Sequence, residues 1–532
     1  MKLYRSIING IVAGSMVFAM SCTDLDVEVE SQLTNDNFPK TKADFEAVTG
    51  PVYGQCNRIW GRGTWHLQSQ SSDESALFAS GGGWYDGGRY KDIHSHTWNA
   101  DNGWIANVYS KGFSAISTAN RVLGMLAETP ESPEKERGVA EVRVMRAFFM
   151  WQMTDNFGAI PVIEKFGEDK QYDRTSRKEV CEFIEKEITE SLPFLSKEVS
   201  VATYNRPTFY MAKALLAKMY INWEVYAGSS RYQDVVTVCD DIIRDNKFAL
   251  DGDYLAMFMP DNGPQIKDFI FSVPWDSEQL RGMTYARFWL HKSLTERFEM
   301  PKSPSGPVRA LPEAYDRFSL EGDVRNDIWL TGPQFNRDGS PIIINTTNIG
   351  LDKLYTGDEP NAPIAWQLTF SKEVPLRGEL INSGWKFDVG NDVLGKASGY
   401  RCNKFHADKN ANGREQNNDV PIFRYADVLL MKAEAILRGA TATMEDTPVT
   451  LMNQIRNRAK APEVASVTLD ELLDERAREF FDENWRRNDL IRFGKFGDSW
   501  THKDESDANH IIFPIPTQEM ILNSHWEQNP GY

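Results

Sequence analysis

Cysteine and histidine are scarce, five and eight among 532 residues. Cys56, Cys181, Cys239 and Cys402 are too few and too scattered for a disulfide framework. Small buried thiols are their expected role, with a Cys181–Cys239 bridge as the one pairing left open. Nucleophile elbows, His-Glu-x-x-His helices, Walker A loops and Cys-x-x-Cys pairs are missing, and with them the commonest signatures of hydrolase, zinc-peptidase, NTPase and thiol-redox chemistry. The glycine run GGGWYDGG at 81–88 lacks Gly-x-Gly-x-x-Gly spacing, so nucleotide binding is rejected. His94-x-His96 with Asp92 has the makings of a metal site, but a chance pair is the simpler reading. The Asn/Asp-rich stretch 408–419 lacks an Asp-x-Asp-x-Asp-Gly run and reads as a solvated loop rather than a calcium site. No cofactor and no metal are expected. Positive charge is short too: 59 Lys and Arg face 76 Asp and Glu, a net charge of −17. Nucleic acid, whose phosphates select basic surfaces, is therefore not an expected partner.

Apolar and aromatic residues are plentiful, at 41% and 12%, and supply a large core. In 421–438 the apolar residues Tyr425, Val428, Leu429, Ala433, Ile436 and Leu437 recur three and four apart, predicting a helix. A second helix is predicted to 460. A third opens at Thr468 with Glu471 as a capping box. Upstream, helices are predicted near 41–59, over 134–158, 174–195, 206–227 and 232–246. Thr175 or Ser176 caps the 174–195 helix, and Pro207 sits in the first turn of the next. Paired by short turns, these helices resemble tetratricopeptide units. Residues 269–273 read as a strand. Residues 276–420 show no long helical period and read as an irregular, aromatic-rich insertion packed on the scaffold. The expected fold class is mainly α: helix pairs with a large loop-rich region and a few short strands.

Between Trp60 and Trp104 five tryptophans and two tyrosines alternate with eight glycines, a density expected to forbid a long regular helix. These rings either roof the core or offer π-faces to sugar rings. At about 25 cal/mol per Å2, a few tens of Å2 of ring face contribute roughly 1–2 kcal/mol. Trp84, Tyr85, Tyr90 and Trp98 are the candidate ring faces, and Asp73, Arg89, Asn99 and Asn102 the candidate hydroxyl readers. Tyr285 and Trp289 are the second choice. Glu141 and Arg143 are expected to form ion pairs between helices.

The chain opens like an export signal: Lys2 and Arg5, an uncharged run from Ile7 to Met20, then Ser21-Cys22. The apolar run is short for a membrane span, and Cys22 resembles a lipobox cysteine, cut before and acylated. Removing 1–21 takes two cations and no acid, moving the net charge to −19. Residues 22–532 are expected to form one unit: an N-terminal arm to 130, helical repeats over 134–250, the insertion over 268–420, and C-terminal repeats from 421.

Four ordered blocks, RYADVLLMKAEA (424–435), LMNQIRNRA (451–459), LLDERAREFFDENWRRNDLIRFG (472–494) and FPIPTQEMILN (513–523) before a final QNPGY, resemble the SusD/RagB family. SSDES (71–75), the spacing Trp104, Tyr109, Ile116, Ala119-Asn120, Leu123, and Phe157-Gly158 before Pro161 are similar to it as well. The resemblance implies a surface lipoprotein, lipidated at Cys22 and held in the outer membrane of Bacteroidetes. It implies capture of a glycan and delivery to a SusC-like TonB-dependent β-barrel, on which the protein acts as a lid, without catalysis. The acidic stretch 23–32 is similar to that phylum's surface-export tags. A peptide-capturing RagB-like protein, a surface glycosidase and a lid without ligand contacts are the alternatives.

Overall fold

The computed structural model describes residues 38–346, 364–377 and 386–532; the export segment and Cys22 lie outside these residues. Helix α1 (Lys42–Tyr53) starts where Thr41 and Asp44 cap each other's main-chain amides. The aromatic stretch then holds two short helices, α2 (Arg62–Ser69) and α3 (Arg89–Ser95). Glycine there does not exclude helix, because Gly63 serves packing: a Cβ at 63 would lie 2.8 Å from Asn107 Oδ1 on the helix behind.

That helix is α4 (Gly103–Ala127), followed by α5 (Pro133–Phe157), each 25 residues long. Ser132 caps α5 with Pro133 in its first turn, and Gly158, at φ +72°, ends it. Next come α6 (Arg177–Ser191), α7 (Phe209–Ile221) and α8 (Tyr232–Arg244). Ser176 and Glu179 form the capping box of α6. Thr208 caps α7, which places Pro207 before the helix rather than in its first turn. Helix α5 packs between α4 and α6, and α7 against α8. Arg143 of α5 binds Glu187 of α6 at 2.8 Å, and Glu141 binds Arg206 at 2.8 Å.

The C-terminal predicted helix begins as a strand. Pro421 interrupts the helical period at its start, and β4 (Val420–Arg424), buried on both faces, pairs antiparallel with β2 (Phe269–Val273). Chain order otherwise runs β1 (Ser75–Leu77) and β3 (Val308–Ala310), which pair with each other. Between β2 and β3 lies one turn of helix, α9 (Tyr285–Trp289). After β4 come α10 (Tyr425–Leu437), α11 (Pro448–Arg458), α12 (Leu469–Glu479) and α13 (Arg486–Arg492). Helix α10 sits at the centre, touching α7, α8, α11 and α12.

The core around α10 is charged as well as apolar. Arg424 pairs with Asp268 at 2.6 Å, Glu479 at 2.8 Å and Glu483 at 2.8 Å. Arg325 adds Asp323 at 2.7 Å, Glu475 at 2.7 Å and Glu479 at 3.1 Å. Nearby, Arg476 joins Asp427 at 2.8 Å to Asp489 at 2.9 Å. All these side chains are buried, so each charge depends on its partners for solvation. The C-terminus is laced into the same body. Asn529 donates to the carbonyls of Phe157 at 2.9 Å and Phe513 at 2.7 Å, and Tyr532 donates to that of Ile512 at 2.8 Å. One apolar cluster runs from Phe45 to Ile515. The four cysteines from Cys56 onward are free and buried, so Cys181 and Cys239 are not bridged. Among the described residues no helix is long and apolar enough to cross a membrane.

Candidate functional site

Burial divides the sequence candidates. Tyr90, Trp98, Tyr285 and Trp289 are only 4%, 3%, 5% and 1% exposed. Rings enclosed to that degree have no face left for a sugar, so these four are core side chains rather than a platform. Trp289 and Trp65 donate their indole N–H groups to Asp482 at 2.9 and 2.6 Å. Tyr285 stacks on Trp65 at 4.5 Å between ring centroids. Trp98 donates to the Tyr532 hydroxyl at 2.7 Å, holding the C-terminus down. Asp73 is also structural. Its two oxygens accept from Arg486 at 2.7 and 2.8 Å, and one accepts from Arg317 at 2.5 Å. Burial alone would raise this carboxyl; Arg486 and Arg317 override it and hold it well below the usual carboxylate range. Asn102 caps α4, accepting from Trp104 N–H at 3.0 Å. His94 bonds the Thr501 carbonyl, and His96 sits between Ser506 and the Ser71 carbonyl. Among the described residues no three His, Cys, Asp or Glu converge as metal ligands.

Trp84, Tyr85, Arg89 and Asn99 remain at the surface. Trp84 is held in a left-handed conformation, φ +68°, that a bulky side chain seldom adopts. The turn before it explains how. Gly81 and Gly82 donate their N–H groups to the Asp388 carboxylate at 2.9 and 2.8 Å, pinning the hairpin from below. The indole then meets Phe288 of α9 edge-on, 5.4 Å between centroids. Phe288 is fully buried and forms the floor of the rim.

Two cations flank that floor. The Arg62 guanidinium of α2 lies 5.8 Å from the Phe288 centroid and 5.2 Å from that of Trp104. The Arg287 guanidinium lies 5.3 Å from Phe288 and 5.8 Å from Trp84. His66 packs beneath, meeting Phe288 edge-on with 5.4 Å between ring centroids. Burial, and then the Arg62 charge, push the His66 imidazole down to about 3, so it is neutral at physiological pH. The result is a partly exposed indole beside the Arg287 guanidinium, on an aromatic floor that Arg62 also reaches. Sequence reasoning found Trp84 but missed Arg62 and Arg287. Their only signal was a cation beside aromatic or glycine residues, in segments more than 200 positions apart.

The insertion builds a second feature that the sequence did not announce. A cavity of about 790 Å3 opens among Trp329, Phe298, Phe335, Gln334, Arg297 and Asp408. Arg297 donates to Gln334 Oε1 at 2.8 Å across it. Trp329 is only 8% exposed and meets Phe318 and Tyr315 edge-on, so its face is taken. Asp408 accepts from the Asn410 N–H at 2.8 Å, whereas Asp419 faces the Trp275 N–H at 2.9 Å and the Tyr204 hydroxyl at 2.7 Å. Asn417 closes the loop by donating to Asp408 at 2.5 Å, and the Asp408 and Asp419 carboxylates are thus committed to different partners.

Helix pairs, an irregular cap and a laced C-terminus place the chain among helical-repeat proteins that carry a loop-built face. Residues 388–532 match the model of the SusD family, and residues 25–221 match a model described as starch-binding, associating with outer membrane. The starch-binding protein SusD of Bacteroides thetaiotaomicron is 24% identical over 495 residues, covering 84% of this chain and 82% of its own length. A SusD superfamily crystal structure from Parabacteroides distasonis has a TM-score of 0.71 at 20% identity, covering 94% of this chain and all of its own. Surface glycan-binding protein A from Bacteroides thetaiotaomicron, in complex with laminarihexaose, has a TM-score of 0.70 at 17% identity over 92% of this chain and all of its own. The chain belongs to the SusD/RagB family.

Proposed function

We propose that this protein binds poly- or oligosaccharide at the Trp84 rim and delivers it to a TonB-dependent outer-membrane β-barrel, acting as that transporter's lid. The observation that carries the reading is the Trp84 indole, partly exposed, fixed on Phe288 and flanked by the Arg287 guanidinium. A pyranose offers a face of C–H bonds, and a fixed indole receives it without losing rotamer freedom on binding. Tyr85, Arg89 and Asn99 are surface polar groups of the same 84–99 stretch, of the kind that orients hydroxyls. Relatives named for starch and laminarihexaose binding support a glycan as the ligand class. Acylation at Cys22 would tether the protein to the outer membrane, and the reading includes no chemical step.

Affinity electrophoresis through gels containing a polysaccharide panel tests the reading. Retardation by at least one glycan, reduced about tenfold by Trp84→Ala, is the expected result. Retention of an extended peptide with no glycan retardation would replace it with peptide capture. Release of new reducing ends from any polymer on incubation would replace it with a surface glycosidase.

A further inference from the structure

The Trp84 rim is electropositive in a chain whose net charge is −17. Among the described residues Arg62, Arg89, Arg287, Lys111 and Arg414 form no ion pair within 4 Å, whereas the guanidiniums of Arg325, Arg424 and Arg486 are matched to carboxylates. Arg287 and Arg62 share the Phe288 floor. Arg287's guanidinium is held below its usual range by burial first and then by the charges of Arg414 and Arg62. The Lys111 ammonium is lowered by burial and then by Arg58 and Arg62. The cations therefore lie close enough to repel one another; Glu415 opposes that repulsion at Arg287 but forms its ion pair with Arg281 instead.

Two further observations describe how these cations are held. The Arg287 Nε–H is buried and has no hydrogen-bond acceptor. A Cβ on Gly103 would lie 3.6 Å from Arg89, so that guanidinium stands against the first residue of the 25-residue helix α4, whose first turn carries no acid. The helix dipole adds positive potential there. The neighbouring acids do not cancel the field. Glu415 turns to Arg281 at 3.8 Å, and Asp92 accepts from Thr97 and meets Lys91 at 4.0 Å. Asp86 is exposed nearby and offers Arg89 Nε only its main-chain carbonyl, at 2.9 Å.

We infer that the ligand at this rim is an anionic glycan, with a carboxylate or sulfate group placed between Arg62 and Arg287 and the adjoining sugar face on Trp84. An unpaired guanidinium pair favours an anion through charge-assisted, bidentate hydrogen bonds, and a neutral sugar would leave that charge unused. This inference rests on the glycan-binding reading of the same site.

The test uses the full chain and matched polymers: polygalacturonate and its carboxyl-reduced neutral form, a sulfated galactan and its desulfated form, and neutral β-glucan. Expected is binding of a charged polymer, weakened by carboxyl reduction or desulfation and by added salt. Arg62→Gln and Arg287→Gln should each lower affinity about tenfold, with Lys178→Gln, an exposed cation elsewhere, as the unaffected control. The carboxylate and sulfate arms separate the two sources of charge. Equal binding of a polymer and its neutral form, unaltered by Arg62→Gln and Arg287→Gln but lost in Trp84→Ala, would overturn the anionic assignment and leave glycan binding standing. Binding of no polymer in any arm would overturn both. Thermal denaturation of each variant separates lost affinity from lost folding.

Discussion

Trp84 and Trp289 belong to one aromatic neighbourhood and answer to different tests. Trp84→Ala removes a partly exposed ring, so the melting temperature should stay within a degree or two of the parent while affinity falls. Trp289→Ala empties a core position and leaves Asp482 without one of its two indole donors. A loss of about 3–5 kcal/mol in urea unfolding is expected, with retained polysaccharide affinity in the fraction that folds. An unchanged unfolding midpoint in Trp289→Ala would refute its placement in the core. Asp73 follows the same logic: it reads from sequence as a hydroxyl reader, and the structure employs it as the anchor of Arg486 and Arg317.

At the scale of elements, α12 carries the largest liability. Its residues Glu475, Arg476 and Glu479 face inward and tie α10, β4 and the insertion together through ion pairs. Removing one partner from a buried set strands the others, so Glu479→Ala should destabilise by about 3–5 kcal/mol, whereas exposed Asp470→Ala should change stability by less than about 0.5 kcal/mol. Denaturant midpoints of the two variants decide it; equal midpoints would show that the network contributes nothing. The crossing of α4 and α5 is similarly constrained. A methyl at Gly112 would collide with Met153 Sδ, so Gly112→Ala should cost about 1–3 kcal/mol in the same measurement.

For the whole molecule, buried carboxyls set the pH range of stability. Burial, and then the charge of Asp482, raise Glu74 to about 8, and burial raises Asp482 itself to about 7. Raised carboxyl values mean that the folded state holds protons the unfolded chain has released. Their contribution is present below the ordinary carboxylate range and is lost as pH rises through about 7–8. Asp73, Glu479 and Asp489 act in the opposite sense. Burial opposes their ionisation, arginines override it, and the stability they bring is lost as pH falls through the acid range. Urea midpoints should therefore decline between about pH 6 and pH 9, and Glu74→Gln, which mimics the protonated acid, should flatten that decline. A flat profile in the parent would contradict the raised values.

Helix positions, caps and the family blocks were legible because they depend on local chemistry: a 3.6-residue period, Ser176 with Glu179, Thr468 with Glu471. The rim was half legible. A run of rings among glycines announces itself, but periodicity does not say which ring faces water, and Tyr90, Trp98 and Trp84 look alike until the chain closes over two of them. Phe288, Arg62 and Arg287 meet Trp84 only through tertiary packing. The amino-acid sequence by itself determined the helix pairs, the export-like leader and the absence of the common catalytic signatures, since each is written in neighbouring residues. Tertiary structure alone decided which aromatic is a surface and which is core, and which charges are left unpaired, because burial and pairing are properties of residues brought together from distant parts of the chain.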